Sequence, residues 1–180
     1  TKTLSVPVDV DHSSGKRVNN FVEIPITYIL RITEESQFVE VEMEIENRAK
    51  SHTTRMVFPT NLQTSYTHAD TPFDVDTREL AYRDRSKPAD WPMDEQPCYS
   101  FVDVNDKNEG LAILTGGLPS YEMLYRPDRP LCITLIRAHE CKVDCGESVG
   151  NYYPEWEHTQ ILGNHKFHFA IYPHAGDWNE

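Results

Sequence analysis

Residues 39–46 alternate apolar and acidic side chains without a break, as Val-Glu-Val-Glu-Met-Glu-Ile-Glu. In a β-strand successive side chains point to opposite faces, so the four apolar residues share one face and the four glutamates share the other. A helix would scatter both sets around its axis. The alternation therefore predicts a half-buried antiparallel strand, with the glutamates on its solvent-exposed face rather than around a metal ion.

Two hairpins are predicted from neighbouring segments of the same kind. Residues 24–32 carry a similar apolar row, and a polar break separates them from 39–46, so these two segments are expected to pair. Residues 101–104 and 111–114 flank a polar turn that ends at Gly110, which predicts a second hairpin.

The remaining strand signals are shorter. The nearly continuous apolar segment 131–136 predicts a strand buried on both faces, with Cys132 in the core. Further strands are predicted at 55–58, 121–125 and 167–172, the last of them closed by Pro173.

The fold class follows from the order of these segments. No segment shows a 3.6-residue apolar repeat of helical length, and short polar breaks with Pro or Gly separate the strands. This pattern predicts an all-β fold, an antiparallel two-sheet β-sandwich similar to super-sandwich domains, in one domain over residues 1–180. Residues 66–99 and 140–164 have little strand signal and are expected to be long loops that carry function or pack on another domain.

Charge and cysteine usage exclude several classes of function. The 29 acidic residues outnumber the 17 basic ones and give a formal net charge of -12, which argues against nucleic-acid binding and against anionic membranes. No apolar run approaches the ~20 residues of a transmembrane helix. The four cysteines are irregularly spaced, so they do not form a disulfide framework. They favour a reducing, cytoplasmic compartment without fixing one.

Two groups of residues invite a metal-site hypothesis. His68, Asp70 and Asp74 have side chains that can bind zinc or perform acid–base catalysis, which would make the chain an independent zinc hydrolase. The alternative is that residues 70–72 form a turn and that Asp74 and Asp76 are solvated or paired with Arg78. A second group, His139 with Cys141 and Cys145, lacks the tight spacing of a structural zinc site. We therefore predict no catalytic residue, metal ligand or cofactor in this chain.

Aromatic side chains in loop-like segments are candidates for sugar binding. The candidates lie in loop-like or terminal segments, where exposed aromatic faces could stack on sugar rings. They are Trp91, Trp156, Trp178, Tyr152 and Tyr153. The alternative is that these side chains hold the loops on the sandwich or on a neighbouring domain.

Ten segments form a recognisable set when they are taken in chain order. They are 46–50, 56–60, 70–75 with Arg78, 101–104, 110–114, Gly-Leu-Pro-Ser-Tyr-Glu at 117–122, 133–137, Gln160, 163–167 and Tyr-Pro-His-Ala-Gly-Asp-Trp at 172–178. In that order they resemble the C-terminal β-sandwich region of glycoside hydrolase family 38, the α-mannosidases and their bacterial relatives.

This resemblance implies that the chain is part of a larger enzyme. The family's enzymes cleave terminal α-mannosyl linkages with retention, using a zinc ion, an Asp nucleophile and a second carboxylate in an N-terminal barrel domain. No zinc ligand or nucleophile of that domain matches this sequence, so the chain is expected to be inactive in isolation. Its expected partners are the missing N-terminal catalytic domain and, through that domain, an α-mannoside substrate.

The resemblance also suggests where the chain meets the catalytic domain. Arg137 follows an apolar strand, so its guanidinium could hold a carboxylate or a sugar hydroxyl at the rim of the active site. Asp70, Asp74 and Arg78 form a second interface candidate. An exposed apolar surface is expected near the two long stretches. The alternative to a domain of an α-mannosidase is a free-standing carbohydrate-binding β-sandwich.

Overall fold

The computed structural model describes residues 1–11, 13–80, 94–139 and 158–179. These residues form an all-β fold. The strands are β1 (Lys2–Pro7), β2 (Val10–Asp11), β3 (Lys16–Arg17), β4 (Phe21–Arg31), β5 (Val39–Asn47), β6 (Thr53–Pro59), β7 (Tyr66–Thr71), β8 (Asp74–Glu79), β9 (Gln96–Pro97), β10 (Phe101–Asn105), β11 (Glu109–Leu114), β12 (Ser120–Met123), β13 (Pro130–Arg137) and β14 (Gly163–Ala175).

Hydrogen bonding arranges these strands in antiparallel sheets. The largest sheet has eight strands in the order β1-β4-β5-β14-β11-β10-β7-β8, a second has the order β6-β13-β12-β9, and β2 pairs with β3. No helix in the described parts of the chain is long and apolar enough to span a lipid bilayer.

The chain divides into two compact units. The first comprises Thr1–Ile29, Glu42–Thr54 and Leu135–Phe167, and the second comprises Leu30–Val41, Arg55–Thr134 and His168–Glu180. The prediction of a single domain over residues 1–180 stays a prediction.

The second unit contains the packed layers of a β-sandwich. Thr67 on β7 and Tyr121 on β12 are both almost completely buried, and their hydroxyl oxygens lie 2.8 Å apart, which joins the two sheets by a hydrogen bond. The rings of Phe58 on β6 and Phe169 on β14 meet edge to face with 6.4 Å between their centroids. These contacts confirm the predicted sandwich, in which side chains from two sheets interdigitate.

The core follows the predicted apolar faces. Val41, Met43 and Ile45 of β5 are buried, whereas Glu44 of the same strand is exposed. Strand β13 is buried on both faces over most of its length, and Cys132 is 1% exposed, as predicted.

The predicted pairings are also present. Strands β4 and β5 are neighbours in the large sheet. Strands β10 and β11 form the second hairpin, in which Val102 lies opposite Ile113.

Two expectations from the sequence were wrong. Residues 66–79 were expected to be loop, yet they form the β7–β8 hairpin, because its inward positions carry the small residues Thr67 and Ala69 instead of large apolar ones. Strand β14 does not close at Pro173. Its pairing with β11 continues to Ala175, because proline keeps an extended backbone and removes only one hydrogen-bond donor.

Candidate functional site: a docking hairpin and an acidic aromatic cleft

The turn of the β7–β8 hairpin places an aromatic side chain in solvent. Thr71 pairs with Asp74, so Pro72 and Phe73 form a two-residue loop. Phe73 has a φ of 82°, the value of the third residue of a type II turn, after a proline that fixes φ at the second. That position favours glycine, and a bulky residue with positive φ is a genuine outlier. The Phe73 ring is fully exposed.

Two predicted interface carboxylates lie beside this turn. Asp70 accepts a hydrogen bond from the hydroxyl of Ser100. Its backbone carbonyl accepts one at 2.8 Å from the amide of Tyr99, whose side chain is 70% exposed. Asp74 is exposed, and its carboxylate accepts a hydrogen bond at 2.8 Å from the next backbone amide. We call residues 70–74 together with Tyr99 the docking hairpin.

Arg78 secures the base of this hairpin instead of its tip. Its Nη2 lies 2.7 Å from Oδ2 of Asp76, and its Nη1 donates to the carbonyl oxygen of Pro97 and to the hydroxyl of Tyr121, both at 3.0 Å. The local pairing with an acid that the sequence offered as the alternative is therefore present. Arg78 positions the hairpin on the sandwich.

The other predicted site residues do not join this group. Arg137 is the exposed last residue of β13 in the first unit, where its carbonyl oxygen accepts a hydrogen bond at 3.3 Å from the imidazole of His139. The sugar-stacking candidates Trp91 and Trp156 lie outside the described residues, as do Cys141 and Cys145.

The zinc hypothesis at His68 and Asp70 does not fit the contacts of these side chains. Nδ1 of His68 lies 3.0 Å from the hydroxyl of Thr77, and Asp70 is bound to Ser100. Across residues 1–11, 13–80, 94–139 and 158–179, no group of three or more His, Cys, Asp or Glu side chains is arranged to hold a metal ion.

A cleft of about 230 Å³ opens on the second unit, on the outer face of the large sheet. The registers place His68, Asp103, Ala112 and Tyr172 side by side on this face. Aromatic and acidic side chains line the cleft together. Among them are Phe101, Tyr172, Trp178, Asp103, His174 and Asp177.

A glycine allows the imidazole of His174 to cross one strand of this sheet. Gly110 lies between His174 on β14 and Asn105 on β10, and a Cβ added at Gly110 would overlap the imidazole. The ring reaches across this gap, and its Nε2 lies 2.6 Å from Oδ2 of Asp103. The two side chains are 8% and 1% exposed, and Asn105 donates to the other carboxylate oxygen of Asp103 at 2.7 Å.

The tail after β14 folds back over the cleft. Gly176 has a φ of 77°, which turns the chain, and its amide donates to the carbonyl of Asn108 at 3.0 Å. Oδ1 of Asp177 then accepts hydrogen bonds from Asn105 at 3.3 Å and from the amide of Trp178 at 2.8 Å.

The indole of Trp178 stacks on two rings of the sheet. The His68 ring lies 5.5 Å away between centroids at an interplanar angle of 27°, and the Phe101 ring lies 6.5 Å away at 29°. Burial lowers the pKa of His68 below its usual value, although the nearby Asp103 and Asp177 act in the opposite direction. Burial therefore favours the neutral form of the His68 ring in this stack.

Sequence reasoning missed the polar residues of this cleft. Asp103 interrupts an otherwise apolar strand segment, and a buried acid implies a partner. Residues 172–178 combine a histidine, an acid and a tryptophan around a glycine. Neither signal shows that the two segments meet.

Comparisons with known proteins identify the domain family of this chain. The family model described as the glycosyl hydrolases family 38 C-terminal domain matches residues 3–140. A protein of Halalkalibacterium halodurans named "Putative mannosylglycerate hydrolase" is 25% identical over 192 residues, covering 98% of this chain and 20% of that protein.

Two solved structures from Enterococcus faecalis are similar over nearly the whole chain. An α-mannosidase from strain V583 is 28% identical with a TM-score of 0.80, over 97% of this chain and 20% of that one. A protein in glycosyl hydrolase family 38 is 26% identical with a TM-score of 0.77, and the match covers 98% of this chain and 21% of that one. The chain therefore spans about a fifth of the length of the relatives it matches.

Proposed function

The chain belongs to the C-terminal domain family of the family 38 glycosyl hydrolases, and on this premise we propose that it is the non-catalytic C-terminal domain of a zinc-dependent, retaining α-mannosidase. The observation that carries the proposal is the match of nearly the whole chain to about 20% of an α-mannosidase structure. The other four-fifths of such a protein would contain the zinc ion and the carboxylates of the reaction. The substrate would be a terminal α-mannoside.

The docking hairpin is the proposed contact with the catalytic domain. A phenylalanine in a turn position that favours glycine is strained, and strain of this kind is concentrated at functional sites. Burying the fully exposed ring against a partner would contribute about 1.5–3 kcal/mol. The carboxylates of Asp70 and Asp74 flank the ring and would meet cationic or hydroxyl groups of the partner.

Arg137 is the proposed contributor to the rim of the active site. It stands exposed at the end of β13, where a guanidinium can bind a carboxylate or sugar hydroxyls in two-pronged geometry.

The first experiment tests activity directly. The purified chain is incubated with 4-nitrophenyl α-mannopyranoside, with and without added zinc, and the release of nitrophenol is followed. No turnover is expected under either condition, because the proposed nucleophile and zinc ligands lie outside this chain. Zinc-dependent hydrolysis by the chain alone would overturn the proposal.

The second experiment tests docking in the parent enzyme. Phe73→Ser is introduced into the complete protein, and Phe21→Ser serves as the matched control, because Phe21 is also exposed, at 56%, but lies on β4. We expect Phe73→Ser to lower the temperature at which the enzyme loses activity, while Phe21→Ser leaves it nearly unchanged. Equal behaviour of the two variants would remove the hairpin from the interface.

The sequence-based alternative, a free-standing carbohydrate-binding module, predicts a different result. Such a protein would have a complete reading frame with no catalytic domain encoded beside it. Sequencing the surrounding gene distinguishes the two functions.

A further inference from the structure

We propose that the cleft between β10, β11, β14 and the folded-back tail is a binding site for one uncharged pyranoside ring. Its volume of about 230 Å³ lies below the range of about 300–1,000 Å³ that holds drug-sized ligands. The cleft therefore has room for a single sugar ring rather than for an oligosaccharide chain.

The lining has the two chemical characters that a sugar ring requires. A pyranoside has apolar C–H faces and a rim of hydroxyl groups. Phe101, Tyr172 and Trp178 give the cleft apolar aromatic walls, and the carboxylate of Asp177 provides a hydrogen-bond acceptor beside them. Only Oδ1 of Asp177 has hydrogen-bond partners among the described residues, which leaves Oδ2 available for a ligand hydroxyl.

Charge selects among possible ligands. The polar side chains of the lining include two carboxylates, Asp103 and Asp177, and a single imidazole, His174. His174 is already hydrogen-bonded to Asp103, so the described residues that line the cleft offer no free cation to a ligand. Phosphates and carboxylates would be repelled, whereas hydroxyl groups can donate to Asp177.

The His174–Asp103 pair gives the cleft a fixed shape. A buried polar pair of this kind is weak evidence for stability, because the desolvation of its groups offsets most of what their contact gains. The side-chain amide of Asn105 donates to Asp103 at 2.7 Å and to Oδ1 of Asp177 in the tail at 3.3 Å. The buried pair thereby fixes Asn105, and Asn105 fixes Asp177. The acceptor is therefore positioned before a ligand arrives, which reduces the entropy lost on binding. The cleft would bind such a ring whether or not the chain is part of a mannosidase.

The experiment is a titration of the ¹⁵N-labelled chain with methyl α-mannopyranoside, followed by two-dimensional NMR. The indole signal of Trp178 is assigned by its loss in Trp178→Phe. We expect this signal and the backbone amides of Asp177 and Trp178 to shift in a saturable manner, with a dissociation constant in the millimolar range. Methyl α-glucopyranoside, acetate and tetramethylammonium are titrated in parallel.

The test variant is Asp177→Asn, which keeps the Oδ1 acceptor for Asn105 and Trp178 but replaces the free Oδ2 with an amide donor. We expect about tenfold weaker binding of the mannoside, in line with the loss of a hydrogen bond to a charged group. Phe73→Ala, on the docking hairpin, is the matched control and should leave the dissociation constant unchanged.

Three outcomes would overturn the proposal. They are no saturable shift with either pyranoside, tetramethylammonium binding in preference to the pyranosides, and unchanged affinity in Asp177→Asn. Loss of thermal stability without any change in binding would assign the polar group a purely structural role, as a clasp for the tail.

Discussion

The docking hairpin and the cleft use the same residue types in opposite ways. At the hairpin, the ring of Phe73 stands in solvent, in a turn whose neighbouring residues include Asp70 and Asp74. In the cleft, the ring of Trp178 is stacked, and Asp103 is buried and paired. A convex, uncovered ring fits burial by another protein, whereas a concave, hydrogen-bonded lining fits a small ligand.

The two regions also differ in what they contribute to the isolated chain. The positive φ of Phe73 costs free energy that no contact of its fully exposed ring repays. The cleft side chains are stacked and hydrogen-bonded to one another, so removing one partner leaves the others buried and unsatisfied. Substitutions should therefore change stability in opposite directions at the two regions.

The largest expected effect is at the cleft, from Gly110→Ala. The added Cβ would overlap the imidazole of His174 and lie 2.9 Å from Cβ of Asn105. Displacing the imidazole takes from the buried Asp103 one of its two hydrogen-bond partners, and leaving a buried polar group unsatisfied costs about 1–3 kcal/mol, more when the group is charged. We expect urea denaturation to show a loss of about 3 kcal/mol in the free energy of unfolding.

A double-mutant cycle supplies the control for this prediction. In a His174→Ala background the overlap with the imidazole is gone, and only the close contact with Cβ of Asn105 remains. Adding Gly110→Ala should therefore lower the free energy of unfolding by clearly less than it does beside His174. A cost that is equally large in both backgrounds would show that the imidazole is not the reason for the glycine.

A substitution at the docking hairpin should raise the free energy of unfolding, and by a smaller amount than the loss expected at the cleft. Asparagine tolerates positive φ better than phenylalanine, and the exposed ring of Phe73 contributes no burial to the isolated chain. Phe73→Asn is therefore expected to raise the free energy of unfolding by about 0.5–1 kcal/mol, measured by urea denaturation. Phe21→Asn, in the extended strand β4, should give no such gain. A loss of stability in Phe73→Asn would show that the turn is not strained by its side chain.

Alternation predicted the strands and their faces, but it did not predict which faces are covered. Strand β5 buries its apolar face as expected, since Ile45 is 1% exposed. The similar row at 24–32 begins with Ile24 at 4% exposure and ends with Ile32 at 71%. Coverage depends on contacts that are distant in sequence, and alternation within one segment carries no information about them.

The same limit explains the results for the candidate sites. Asp70 and Asp74 could be selected from the sequence because they sit in a turn, and turns are local. The cleft depends on His174 reaching Asp103 across Gly110, which joins three strands. Only the register of the sheet brings these residues together, and one sequence does not specify that register.

The smallest expected effect is the part of the pH dependence that comes from His68, whose ring stacks on Trp178 of the cleft. Burial lowers the pKa of His68 in the folded chain below the value of about 6.5 for an unfolded histidine. As the pH falls from 7 to 5, the unfolded chain takes up a proton that the folded chain resists, so the free energy of unfolding decreases. The variant His68→Gln lacks this histidine, so its free energy of unfolding should decrease less between pH 7 and pH 5 than that of the unmodified chain.

The matched variant for this measurement is Phe73→Asn, because the docking hairpin as defined contains no histidine. Its free energy of unfolding should fall between pH 7 and pH 5 as steeply as that of the unmodified chain. His52 also has its pKa lowered by burial, so the slope in His68→Gln should be reduced but not abolished. If His68→Gln and the unmodified chain have the same slope, the stack of His68 on Trp178 does not oppose protonation. Substitution of His68 would then leave the pH dependence of the free energy of unfolding as unchanged as substitution of Phe73 in the docking hairpin does.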